Sequence, residues 1–221
     1  MPLGAIIFDF DGVIADSEAL ANGVLAEAVS ALGLPTSLDD ALGRYMGKRW
    51  PDAMAAIECD LGRALPDNFS DDLKAATLER FRRDLREVTG AAGFIGRFAA
   101  LPRCIASSSS ADRLRLCLDK LGLAGAFGEA VFSADGVARG KPYPDIFLHA
   151  AGRLGVAPAH CLVIEDSVTG VQAGVAAGAT VLGLCAGSHL REGHGGRLRA
   201  AGASHVAATW EDAARIVSAL I

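Results

Sequence analysis

Four short stretches, far apart in the chain, hold the residue types that could act on an anion. Asp9 and Asp11 lie in FDFDGV, directly after the apolar AII; Ser107, Ser108, Ser109 and Ser110 follow RCIA. Lys141 lies in GKPYPD, and Glu165 and Asp166 lie in VIEDS. A buried carboxylate without a partner is costly, so D-x-D at the end of an apolar run calls for a counter-charge or a task. Several carboxylates in one cleft repel one another and become tolerable around a divalent cation. An all-oxygen donor set selects a hard ion, Mg2+ foremost. Serines ahead of a helix, with the backbone N–H groups that follow, cradle an anion. Lys141 adds a point positive charge, and Pro142 biases it away from helical geometry. In such a cleft the Asp9 carboxylate is placed to attack phosphorus. Asp11, two residues on, is placed to protonate a leaving alcohol and then to deprotonate water.

These residues need a scaffold that brings strand ends together. AIIFDF (5–10), RCIAS (103–107), AVFSA (130–134), CLVIED (161–166) and ATVLGLC (179–185) are short, continuous apolar runs. Such runs suit strands covered on both faces. Amphipathic stretches at 111–123, 144–155 and 166–178 alternate with them. The pattern predicts an α/β fold, a Rossmann-like parallel sheet with helices on both faces, whose ligands bind beyond the carboxyl ends of the strands. Residues 15–85 break the rhythm. They read as helices at 17–33, 49–62 and 70–87, separated by the turn-forming LPTSLDD and ALPDNFS. The expected organisation is a catalytic core of residues 1–14 and 86–221, interrupted by an inserted α-helical domain over 15–85.

Composition narrows the partners. A formal charge of -5 argues against nucleic acid, whose backbone selects basic surfaces. A small anionic substrate stays compatible with it, because a metal or a few cations reverse the field locally. No apolar run is long enough for a membrane span, and Asp9 and Asp11 interrupt the N-terminal one before it could serve as a signal h-region. The five cysteines form no C-x-x-C and are read as small buried residues of a reducing compartment. A cytoplasmic monomer or small homo-oligomer is expected. His189 and His194, in the glycine-rich SHLREGHGGR, read as solvated loop residues rather than metal ligands.

Singly, each motif has an ordinary explanation: a solvated turn, a flexible serine tract, a helix cap, a surface lysine. Together and in order, FDFDGV, the serine after IAS, GKPYPDIF and VIEDSVTGVQAG resemble the four signature motifs of the haloacid dehalogenase-like superfamily. The resemblance spans nearly the whole chain. It implies a Rossmann-like core, Mg2+-dependent phosphoryl transfer and an aspartyl-phosphate, with Asp9 as nucleophile and Asp11 as acid and base. It implies phosphate binding by Ser107, Ser108 and Lys141. It implies a metal site of Asp9, the Asp11 carbonyl and Asp166, with Glu165 nearby. The helical insert is similar to the small cap of the phosphatase and β-phosphoglucomutase branch. In that branch the cap carries a specificity loop, here GRYMGKRW (43–50), which makes Lys48 and Arg49 candidates for substrate contact.

The function expected is therefore hydrolysis of a small phosphorylated metabolite, a sugar or sugar-acid phosphate. The runner-up is a β-phosphoglucomutase-like mutase, but Ala21 stands where those enzymes carry a cap histidine. A dehalogenase would leave Asp11 without a purpose. A non-catalytic phospho-acceptor module would carry its aspartate on a later strand and lack the helical insert.

Overall fold

A computed structural model describes residues 3–46, 48 and 50–221. The chain divides into two compact units, Met1–Asp16 with Arg86–Ile221, and Ser17–Leu85 between them.

The first unit is built on six parallel strands among the described residues: β1 (Ala5–Phe8), β2 (Arg103–Ser107), β3 (Val131–Ser133), β4 (Cys161–Glu165), β5 (Thr180–Leu184) and β6 (His205–Ala207). Their order is β3-β2-β1-β4-β5-β6. The chain therefore leaves β1 toward one edge and later returns to its other side, which makes the carboxyl end of β1 a topological switch point. The strands are shorter than their apolar runs. β1 stops at Phe8, so Asp9 and Asp11 leave the sheet rather than line it, although the Asp9 N–H still donates to the Ile164 carbonyl at 2.9 Å.

Pleating explains why these runs are apolar throughout. Ala5 and Ile7 pack into one cluster with Ile146, Phe147, Val163 and Val171. Phe8 points to the other face, edge-on to Phe94 at 6.0 Å and to Phe127 at 5.8 Å, with Trp210 at 6.1 Å.

The second unit holds α1 (Glu18–Ala31), α2 (Leu38–Arg44), α3 (Trp50–Leu61) and α4 (Phe69–Asp84). They close on Leu25, Val29, Ala41, Tyr45, Ile57 and Phe69. Arg80 of α4 pairs with Glu27 of α1 at 2.8 Å. The LPTSLDD stretch is not a turn throughout. Ser37 caps α2 and accepts from the Asp40 N–H, while the Asp40 carboxylate accepts from the Ser37 N–H. This reciprocal capping box starts a helix inside what read as a loop.

Seven helices follow in the first unit: α5 (Ala91–Arg97), α6 (Ala111–Leu121), α7 (Ala124–Phe127), α8 (Asp145–Leu154), α9 (Val168–Ala176), α10 (His194–Ala200) and α11 (Trp210–Ser218). The segments leading to and from the helical unit run side by side. Ala15 bridges Glu87 in antiparallel fashion, and the Val88 N–H donates to the Ile14 carbonyl at 2.8 Å. Cys104, Cys117 and Cys161 are buried as expected, Cys185 is half-buried, and Cys59 is exposed, the exception to the expected burial. No described helix is long and apolar enough to cross a membrane.

Phe8 fills the junction of three aromatic side chains on the strand that precedes Asp9. Phe8→Ala is expected to cost about 3–5 kcal/mol, the usual range for deleting a buried aromatic, measured by urea denaturation.

Candidate active site

Parallel pairing itself assembles the acidic cluster. Phe8 of β1 is in register with Ile164 of β4, so Asp9, just past β1, and Glu165, the last residue of β4, are neighbours, and Asp166 follows. All three carboxylates are buried, and one oxygen from each lies within 4.8 Å of the others. It is the one such cluster among the described residues.

A third segment supplies the counter-charge. The Lys141 Nζ donates to Asp9 Oδ1 at 2.6 Å and to Glu165 Oε1 at 2.7 Å, and to the Ala106 carbonyl at 3.2 Å. It also lies 4.9 Å from the centre of the Phe147 ring. The Lys141–Pro142 peptide bond is cis. Burial alone would disfavour the ammonium, but Asp9 and Glu165 outweigh it and raise the Lys141 pKa. Asp9 is pushed the other way from its use as an anion. Burial, with repulsion from Glu165 and Asp166, lifts its carboxyl well above the usual range against the pull of Lys141. One ammonium for three converging carboxylates leaves negative charge uncompensated, and the donors are all oxygen. The site fits a hard divalent cation.

Glu165 is held from both ends. Its Oε2 accepts from the Ser167 N–H at 2.7 Å and the Ser167 hydroxyl at 2.9 Å. Ser167 also caps α9. Gly170, in the first turn of α9, gives Glu165 its space: a Cβ there would lie 1.6 Å from Oε1. Gly12 does the same for Asp166. Its φ of +79° is closed to most side chains, and a Cβ would come 2.0 Å from Asp166 Oδ2.

The serine tract ends β2 and precedes α6. Ser107 is buried and its hydroxyl accepts from the Ser109 N–H at 3.1 Å, while Ser108 is exposed. The tract reaches Asp11 through Ser109, to which the resemblance had given no role. The Ser109 hydroxyl donates to Asp11 Oδ2 at 2.5 Å, and Arg113 of α6 meets Asp11 Oδ1 at 2.5 Å. Arg113 gave no signal in sequence, where it reads as one more cation on an amphipathic helix.

His189 and His194 overturn the expectation of solvated loop residues: both are buried. The His189 Nε2 lies 3.2 Å from Asp166 Oδ2, and the His194 Nε2 lies 2.5 Å from the Asp166 carbonyl oxygen. Their acidic partner is close in space but over twenty residues away in the chain. Burial lowers the His194 pKa below the usual imidazole value.

The helical unit carries the turn expected to set specificity. Lys48 is exposed there, and its N–H donates to the Tyr45 carbonyl at 3.3 Å. Arg49 lies outside the described residues. Arg44 and Tyr45 of the expected specificity turn are engaged within the unit: Arg44 pairs with Asp60 at 3.6 Å, and the buried Tyr45 donates to Asp60 at 2.9 Å.

A family model described as haloacid dehalogenase-like hydrolase matches residues 3–178. The 6-phosphogluconate phosphatase of Escherichia coli (strain K12) is 26% identical over 186 residues, 84% of this chain and 84% of that protein. The fructose-1-phosphate phosphatase of the same organism is 33% identical over 177 residues, 78% of this chain and 92% of that protein. A HAD family hydrolase of Deinococcus radiodurans R1, solved with bound phosphate and sodium, is 33% identical. It aligns over 99% of this chain and 98% of its own with a TM-score of 0.85.

The buried ammonium should be worth more to stability than a surface lysine. Lys141→Met, leaving Asp9 facing Glu165, is expected to cost about 3–5 kcal/mol in urea denaturation with EDTA present. Adding Glu165→Gln should recover part of that loss, because one of the two uncompensated charges is gone.

Proposed function

Since the chain belongs to the haloacid dehalogenase-like hydrolases, we propose that it is a Mg2+-dependent phosphatase of a small phosphorylated sugar or sugar acid, working through an aspartyl-phosphate. One observation carries this reading: the Asp9 carboxylate sits at the switch point of the sheet, 2.6 Å from a buried ammonium and beside two further carboxylates. The named relatives that act on 6-phosphogluconate and fructose 1-phosphate support the substrate class. The Deinococcus protein, solved with bound phosphate and sodium, supports the reading as a related chain that takes up both a phosphate and a cation.

Asp9 attacks phosphorus, the P–O bond to the leaving group breaks, and a bond from Asp9 to phosphorus forms. Lys141 and the Ser107 hydroxyl, with the Ser108 N–H, bind the oxygens of the phosphoryl group. Asp11 gives a proton to the leaving alkoxide and takes one back from the attacking water, which releases phosphate and restores Asp9. To reach the substrate Asp11 exchanges the grip of Arg113 and Ser109 for the leaving oxygen. Asp9 and Asp166, with the Asp11 carbonyl and Glu165 beside them, hold the Mg2+. The ion supplies positive charge that offsets the negative charge of the phosphoryl oxygens. The helical unit acts as the cap, and Lys48 or Arg49 meets a second anionic group or a sugar hydroxyl of the substrate.

A phosphate-release screen over sugar phosphates, sugar-acid phosphates, phosphoglycolate, nucleotides and bisphosphorylated hexoses tests the reading. Release is expected with Mg2+ and not with EDTA, and Asp9→Asn should lower kcat at least about 10³-fold. Undiminished turnover in Asp9→Asn would overturn the assignment of the nucleophile. Isomerised product without phosphate release would replace the phosphatase with a mutase, against the alanine at position 21.

The cap residues have their own measurement. Lys48→Ala should raise KM for the best sugar substrate several-fold more than KM for a minimal aryl phosphate. Equal effects on both would remove Lys48 from the substrate contact.

A further inference from the structure

The loop between β5 and α10 and the first residue of α10 carry two buried histidines, His189 and His194, that no step of the reaction above uses. His189 and His194 approach one residue, Asp166, from two directions. A carboxylate and a carbonyl oxygen only accept hydrogen bonds, so each Nε2 carries the proton in these contacts. His189 thereby fixes the rotation of the Asp166 carboxylate, and His194 fixes the peptide that bears it. The His194 ring is itself oriented, because Arg197 donates to its Nδ1 at 2.9 Å.

The loop is fastened at a third point. The Ser188 N–H and hydroxyl donate to Asp16 Oδ1 at 3.0 and 2.9 Å. The space is shaped for the contact as well. The Cβ that Gly12 lacks would lie 2.8 Å from His189 Cε1, besides its clash with Asp166 Oδ2. Segments following β1 and β5 thus close on the carboxylate that follows β4, and the bare Cα of Gly12 leaves room for it.

We propose that His189 and His194 are positioning residues that hold Asp166 in the orientation from which it ligates the divalent cation. The inference rests on the cation site assigned above. Donors behind a ligating carboxylate commonly change metal affinity 10- to 100-fold when removed. His189→Met and His189→Gln have similar volumes, but only glutamine keeps an N–H near the place of Nε2.

The test is isothermal titration of the full chain with manganese(II) alone, alongside the metal-free melting temperature. Wild type should bind one ion, and Asp166→Asn should bind it at least about tenfold more weakly. His189→Met is expected to weaken binding about 10- to 100-fold, with KM for the phosphate ester at saturating metal changed less than about threefold. His189→Gln should regain most of the affinity. His194→Met should weaken binding by a smaller factor, because it acts on the carbonyl and not on the carboxylate.

Binding by folded His189→Met and His194→Met within twofold of wild type would overturn the inference and leave the cation site standing. Should His189→Met fail to fold, a His189→Gln variant as weak as Asp166→Asn would overturn it equally. Wild type that binds no ion, or Asp166→Asn that binds like wild type, would instead remove the cation site itself.

Discussion

The ammonium of Lys141 between Asp9 and Glu165 is the interaction on which the rest of the site depends. Its necessity comes from the sheet. Parallel pairing of β1 with β4 brings two acidic strand ends together whether or not their charges are balanced. Buried like charges would separate the strands or stay protonated. Lys141, delivered by the loop before α8, neutralises part of that charge. The negative charge it leaves over is what a divalent cation would offset. The protein thus holds three carboxylates around one ammonium in its interior.

Holding these charges together needs a rigid support, and the two faces of β1 supply it differently. Phe8 is wedged among Phe94, Phe127 and Trp210 on one side. On the other, Ile7 and the Phe147 that underlies Lys141 belong to one buried cluster. Large side chains set the strand in place, and glycines nearby set the distances. Gly12 and Gly170 stand where a methyl group would strike Asp166 or Glu165. Rigidity and close approach are separate requirements, met by opposite residue types a few positions apart.

Much of this was legible in the chain. Continuous apolar runs ending in Asp, Ser or Glu-Asp are readable as strands with chemistry at their carboxyl ends, because burial on both faces leaves polar residues only where the strand stops. The motifs at Asp9, Lys141, Glu165 and Asp166 converge as their order suggested. The helix starting at Leu38 was missed because its signal is a local exchange of hydrogen bonds between Ser37 and Asp40, hidden in a stretch of turn-forming residues. Arg113 and the two loop histidines were missed for another reason. Each looks like a solvated polar residue until its partner is known, and the partner lies from twenty-three to over a hundred residues away.

The sequence by itself determined which residues can carry charge and proton chemistry and on which elements they ride, since residue type and hydrophobic period are local properties. Tertiary structure decided which of them touch. Strand register set Asp9 beside Glu165, the β5–α10 loop brought His189 and the start of α10 brought His194 to Asp166, and α6 turned Arg113 onto Asp11. The physical reason is that a salt bridge or hydrogen bond acts over about 3 Å, and only the folded path of the chain sets distances on that scale between residues remote in sequence.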